Sequence, residues 1–111
     1  MSDFRMLSDQ VLASPQLTIA DLDTANSLGA TLIINNRPEG EAEDQTPGPV
    51  IEAAAQTMGM DYVAIPISPG NFSEAQVQAM VEALSGAEGL VLAYCRTGTR
   101  STFLWALAQA A

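Results

Sequence analysis

The chain of 111 residues has no lysine, no histidine and a single cysteine, Cys95. Its positive charge is confined to Arg5, Arg37, Arg96 and Arg100, against thirteen acidic residues, for a formal net charge of -9. That balance argues against a nucleic-acid partner, whose phosphates need basic surface. Without histidine, one cysteine and scattered carboxylates make no zinc ligand set, so neither a metal nor another cofactor is expected. One cysteine closes no internal disulfide, which fits a reducing cytoplasm. No apolar run approaches the ~20 residues of a membrane span. The opening Met1-Ser2-Asp3-Phe4-Arg5 lacks the basic start and apolar stretch of a signal peptide. A cytoplasmic protein without a membrane partner is the expectation, and the length predicts one domain over residues 1–111.

What is present alternates between strand and helix patterns. Phe4 to Leu7 and Val11 to Ala13 read as short strands. Thr18 reads as an N-cap with Asp21 three positions on, followed by Ile19, Leu22, Ala25 and Leu28 at helical spacing and then Gly29. Thr31 to Ile34 suits a buried strand, and an acidic stretch rich in proline and glycine, Glu39 to Pro49, reads as the longest loop. Val50 to Met58 predicts a helix ending at Gly59, and Tyr62 to Ile65 a strand closed by Pro66. Ser73-Glu74-Ala75-Gln76 matches a capping box ahead of the stripe Val77, Met80, Val81, Leu84. Leu90 to Tyr94 is continuous and apolar, as a strand buried on both faces is, and the residues after Arg100 favour a helix that buries Phe103 and Trp105. The pattern predicts an α/β fold, a mostly parallel sheet flanked by helices.

Chemistry concentrates at Cys95-Arg96-Thr97-Gly98-Thr99-Arg100-Ser101, where two of the four cations flank the only thiol. Ligands of open α/β sheets collect beyond the carboxyl ends of strands, and Cys95 lies at such an end. If Arg96, Thr97, Gly98 and Thr99 curl with their amides inward, they form a nest for an oxyanion, reinforced by the helix that follows. Gly98 permits the curvature. Arg100 could hold two oxygens in bidentate fashion, and Arg96 points outward or over the mouth. Ser101 either caps the helix or donates to the thiolate. Asn36, Arg37 and Glu39, after the Thr31 strand, are candidates for the pocket; Glu39, Glu41, Glu43 and Asp44 read as a solvated acidic loop before they read as catalytic acids, with Glu39 or Glu41 the ones that could supply an acid from the neighbouring strand end.

A strand ending in cysteine, an arginine-closed loop, a serine and a helix resemble cysteine-dependent phosphatases and rhodanese-type sulfurtransferases. The longer set, Asn35-Asn36-Arg37-Pro38-Glu39-Gly40-Glu41, Ile65-Pro66-Ile67-Ser68-Pro69-Gly70 and Tyr94 to Ser101, resembles the phosphatase-like domain of beta-lactamase hydrolase-like proteins over nearly the whole chain. The resemblance implies a cysteine-phosphatase-like fold. It also implies a sulfur dioxygenase as a partner, since some relatives carry a metallo-β-lactamase-like domain linked to sulfide oxidation.

Three departures from the phosphatase pattern decide the reaction expected. Four residues separate Cys95 from Arg100 where phosphatases of this type have five; Tyr94 replaces a histidine; and Ser68-Pro69-Gly70-Asn71 lacks the aspartate that protonates a leaving alcohol. Sulfur transfer needs no obligatory acid, because sulfite and thiolates leave readily. A sulfurtransferase is therefore expected, attacking thiosulfate or glutathione persulfide to form a Cys95 persulfide. The alternatives are hydrolysis of a phosphomonoester through a phosphocysteine and a non-catalytic anion-binding module.

Overall fold

The apolar stretches assemble into one five-stranded sheet in a computed structural model that describes residues 2–111. The elements in chain order are β1 (Arg5–Met6), β2 (Val11–Ser14), α1 (Ile19–Ser27), β3 (Ala30–Asn35), α2 (Gly48–Thr57), β4 (Asp61–Ala64), α3 (Glu74–Gly86), β5 (Leu90–Tyr94) and α4 (Thr99–Ala110). Strand order is β1-β2-β5-β3-β4, with β1 antiparallel to β2 and all other pairs parallel. The α/β, mostly parallel architecture expected from the sequence is the one observed.

Alternation along each inner strand sends side chains to two separate cores. Leu12, Ile33, Leu92 and Tyr94 pack with Leu22 and Ala25 of α1 and Ile51 and Ala55 of α2. Val11, Leu32, Ile34, Val91 and Ala93 face Met80 of α3 and Leu104 of α4. This double covering is why Leu90 to Tyr94 reads as unbroken apolar sequence: β5 is central and has a helix layer on both sides.

Local side-chain caps set two of the four helix starts. Thr18 and Asp21 form a reciprocal capping box on α1, and Ser73 and Gln76 do the same for α3. Helix α2 begins two residues earlier than Val50, with Pro47 at the N-cap and no side-chain cap of its own. The Gly48 amide donates instead to the Glu39 carboxylate, at 2.9 and 3.1 Å. A cap from nine residues upstream lies outside any local pattern. Strand β1 covers only Arg5–Met6, shorter than the predicted Phe4 to Leu7. Phe103 is also corrected: it is 58% exposed, because α4 buries Ser101 and Leu104 on one face while Phe103 meets Phe72 edge-on at 6.3 Å. Trp105 is partly buried against the second core, as expected. Among the described residues, no helix is long and apolar enough to cross a membrane.

The parallel register brings three strand ends together. Ser14 of β2 and Asn35 of β3 both pair with Tyr94 of β5, so the segments after all three leave the sheet at one edge.

Candidate active site

Cys95 is the first residue beyond β5 and is fully buried. Its amide donates to the Ser14 carbonyl at 3.3 Å, and its Sγ accepts from the Gly98 amide at 3.1 Å. The loop turns back on itself because Gly98 adopts φ +90°, and Gly98 is also the N-cap of α4. A Cβ there would sit 3.3 Å from the Ser14 carbonyl carbon and oxygen. Both backbone conformation and space therefore demand glycine. Gly98→Ala is expected to destabilise the fold by about 1–3 kcal/mol, read as a lower urea midpoint at unchanged slope.

The Arg100 and Ser101 amides, in the first turn of α4, have no acceptor among the described residues. These are the orphan donors of a helix start, and with the helix dipole they favour an anion. The expected loop of Arg96, Thr97, Gly98 and Thr99 leads into a helix of twelve residues, but its Gly98 and Thr99 amides are given to Cys95 Sγ and Thr97 Oγ1 and not left open for an oxyanion. Within it, Thr97 Oγ1 accepts from the Thr99 amide at 3.4 Å and donates to Thr99 Oγ1 at 3.0 Å. Arg96 is exposed, and its carbonyl accepts from the Gln16 amide at 3.3 Å.

Arg100 does not hold its two-oxygen fork open for an oxyanion as expected: the fork is closed on the Glu41 carboxylate. Nη1 donates to Glu41 Oε2 at 2.7 Å and to the Ile67 carbonyl at 2.6 Å, while Nη2 donates to Glu41 Oε1 at 2.9 Å. Arg37 completes the cluster, with Nε on Glu41 Oε1 at 3.0 Å and Nη1 on Gln16 Oε1 at 3.0 Å. Glu41 is held below the usual carboxylate range, first by its hydrogen bonds from Arg100 and then by those from Arg37, against a penalty from burial. Arg100 is raised in turn, chiefly by Glu41, with the nearby Cys95 sulfur adding to the effect. Reading Glu41 as a solvated loop acid is therefore wrong: the chain commits two of its four cations to it. The i, i+4 spacing from Arg37 was the available signal.

The pH consequence has a definite sign. Because folding depresses the Glu41 pKa below its ordinary 4.5, its contribution is complete above about pH 4.5 and is lost as pH falls through the lowered value. With charge-assisted bonds to two arginines, Glu41→Gln should cost about 1–3 kcal/mol at neutral pH. Urea melts from pH 7 to pH 3 should show the gap between wild type and Glu41→Gln closing only below pH 4.5.

Two further site expectations are corrected. Ser101 neither caps the helix nor serves the thiolate: its hydroxyl donates to Asn36 Oδ1 at 2.8 Å in a fully buried contact. The direction follows from Asn36 Nδ2 donating to the Ile65 carbonyl, which leaves Oδ1 as acceptor and uses the one Ser101 proton. Glu39 does not enter the pocket, because both its oxygens are turned to the α2 amide. Asn36 and Arg37 are buried as neighbours of the loop, and Asn35 Oδ1 accepts from the Arg37 amide at 2.8 Å, fixing the turn. Tyr94 packs in the first core, and its buried hydroxyl, without a hydrogen-bond partner among the described residues, is held neutral primarily by desolvation. Among the described residues no group of three potential metal ligands occurs.

A buried thiol under a helix N-terminus, beside an arginine, has relatives. The family described as beta-lactamase hydrolase-like protein, phosphatase-like domain, matches residues 3–111. The chain belongs to this phosphatase-like domain family. A curated relative, the beta-lactamase hydrolase-like protein of Agrobacterium fabrum, is 36% identical over 104 residues, covering 94% of this chain. The chain spans only 24% of that relative's length. Among solved structures, a candidate phosphatase from Neisseria meningitidis superposes with a TM-score of 0.87 at 35% identity, covering 95% of this chain and 75% of the other. P. aeruginosa TpbA, solved in complex with pTyr, shares the fold at a TM-score of 0.71 and 14% identity, over 92% of this chain and 59% of its own. The family is described as phosphatase-like and the Neisseria structure as a candidate phosphatase, which backs the phosphatase alternative over the sulfurtransferase expected from loop spacing.

Proposed function

We propose that this phosphatase-like domain hydrolyses phosphomonoesters through a phosphocysteine at Cys95. The observation that carries the reading is the buried Cys95 sulfur set beneath an α4 first turn whose Arg100 and Ser101 amides are unclaimed. Phosphoryl oxygens accept from those amides, and the helix dipole stabilises the charge that builds on them in the transition state. The Cys95 thiolate attacks phosphorus, the S–P bond forms, and the P–O bond breaks with its electron pair leaving on oxygen. Water then attacks phosphorus, the S–P bond breaks, and inorganic phosphate leaves with the thiolate restored.

Arg100 supplies the positive charge beside this centre. The Ile67 carbonyl and Glu41 fix its guanidinium plane, and Arg37, itself held by Gln16, braces Glu41. Asn36 and Ser101 position the loop by tying the first turn of α4 to the end of β3. Gly98 shapes the ring and steadies the sulfur with its amide. The phosphatase neighbours, one of them bound to pTyr, support a phosphomonoester over thiosulfate or glutathione persulfide, and nothing supports a dioxygenase partner.

Side-by-side assays test the assignment. Cys95-dependent phosphate release from nitrophenyl phosphate is expected, with no thiocyanate formed from thiosulfate and cyanide. Thiocyanate formation without phosphate release would overturn it.

A further inference from the structure

Departure of an alkoxide from phosphorus normally requires a proton, and a positioned acid contributes about 10²–10⁴-fold. Two carboxylates of the loop after β3 are committed elsewhere. Glu41 gives both oxygens to arginines, and Glu39 gives both to the Gly48 amide. Glu43 and Asp44 are exposed and make no hydrogen bond to Cys95–Ser101 among the described residues. The segment that reaches Arg100 through the Ile67 carbonyl continues as Ser68-Pro69-Gly70-Asn71, without a carboxylate. The nearest phenol in sequence, Tyr94, is 1% exposed and lies in the core on the α1 and α2 side.

Building on the phosphatase reading, we propose that the site has no general acid and acts on phosphoryl groups carried by acidic leaving groups, aryl or acyl phosphates, while excluding simple alkyl phosphates. A carboxylate takes the P–O electron pair and stays ionised, and a phenolate takes it as a stable anion that gains its proton later from water. An alkoxide does not. The shared chemistry is a phosphoryl group on a leaving oxygen that needs no proton at the moment of bond cleavage.

The test measures kcat/KM for nitrophenyl, phenyl, acetyl and a primary alkyl phosphate, with acid-quench mass spectrometry of the protein alongside. The rate should fall steadily as the leaving group becomes more basic, and nitrophenyl should exceed alkyl phosphate by at least about 10²–10⁴-fold, the factor an acid would otherwise supply. Whether acetyl or nitrophenyl phosphate leads distinguishes an acyl from an aryl source, and either order with a steep series supports the proposal. Comparable rates across the series would overturn it while leaving the phosphatase reading intact. No phosphocysteine and no turnover with any member would overturn both. In Glu41→Gln all rates should fall together; a selective loss for the alkyl ester would name Glu41 as the acid and sink the proposal.

Discussion

Replacing Cys95 with serine is expected to lower phosphate release from nitrophenyl phosphate by at least about 10⁴-fold, as loss of a covalent nucleophile does. The substitution changes little else. Cys95 is fully buried, its sulfur accepts one amide hydrogen bond from Gly98, and a serine oxygen can accept the same bond. The fold and the anion cradle should survive. Phosphate or vanadate should therefore still bind Cys95→Ser, seen as a raised Tm, while turnover is gone. A Cys95→Ser protein that retains a substantial share of wild-type turnover would place the nucleophile elsewhere.

The second large effect belongs to Arg100. Arg100→Ala should reduce kcat/KM by about 10²–10³-fold, the usual loss on removing one charge-stabilising donor from a buried site. It also strands Glu41, whose carboxylate is only 18% exposed and would keep Arg37 alone. A stability loss of about 1–3 kcal/mol should accompany the activity loss. Arg100→Lys separates the two effects. A lysine restores charge near Glu41 but cannot reproduce the fork to both Glu41 oxygens and the Ile67 carbonyl. Stability should recover largely and kcat/KM only in part. Equal recovery of both would show that charge alone, and not the fixed plane, is what the site uses.

Legibility in the sequence followed the range of the interaction. The capping boxes at Thr18 and Ser73 lie within four residues and read directly, as did the buried central strand from its unbroken apolar run. Cys95, Gly98 and Arg100 were legible because strand, loop and helix follow one another along the chain. Contacts between distant segments were not. The Ser101 to Asn36 bond joins residues 65 apart, and Arg100 to Glu41 joins residues 59 apart. Polar residues in such positions look like turn or surface residues until the parallel register of β2, β5 and β3 brings their ends together. Glu39 and Glu41 show this sharply. They stand two apart in one acidic loop, yet one caps a helix and the other locks the arginine. Loop spacing misdirected the expected chemistry for a related reason: counting residues between Cys95 and Arg100 shows the size of the ring but not what its amides face.

The most direct test of the account is the chemical identity of what Cys95 carries during turnover. Wild-type protein mixed with nitrophenyl phosphate and quenched in acid within milliseconds should show one phosphoryl group by intact mass, mapped to the Cys95 peptide and missing from Cys95→Ser. An unmodified Cys95 under these conditions, together with one added sulfur on Cys95 after exposure to thiosulfate, would contradict it.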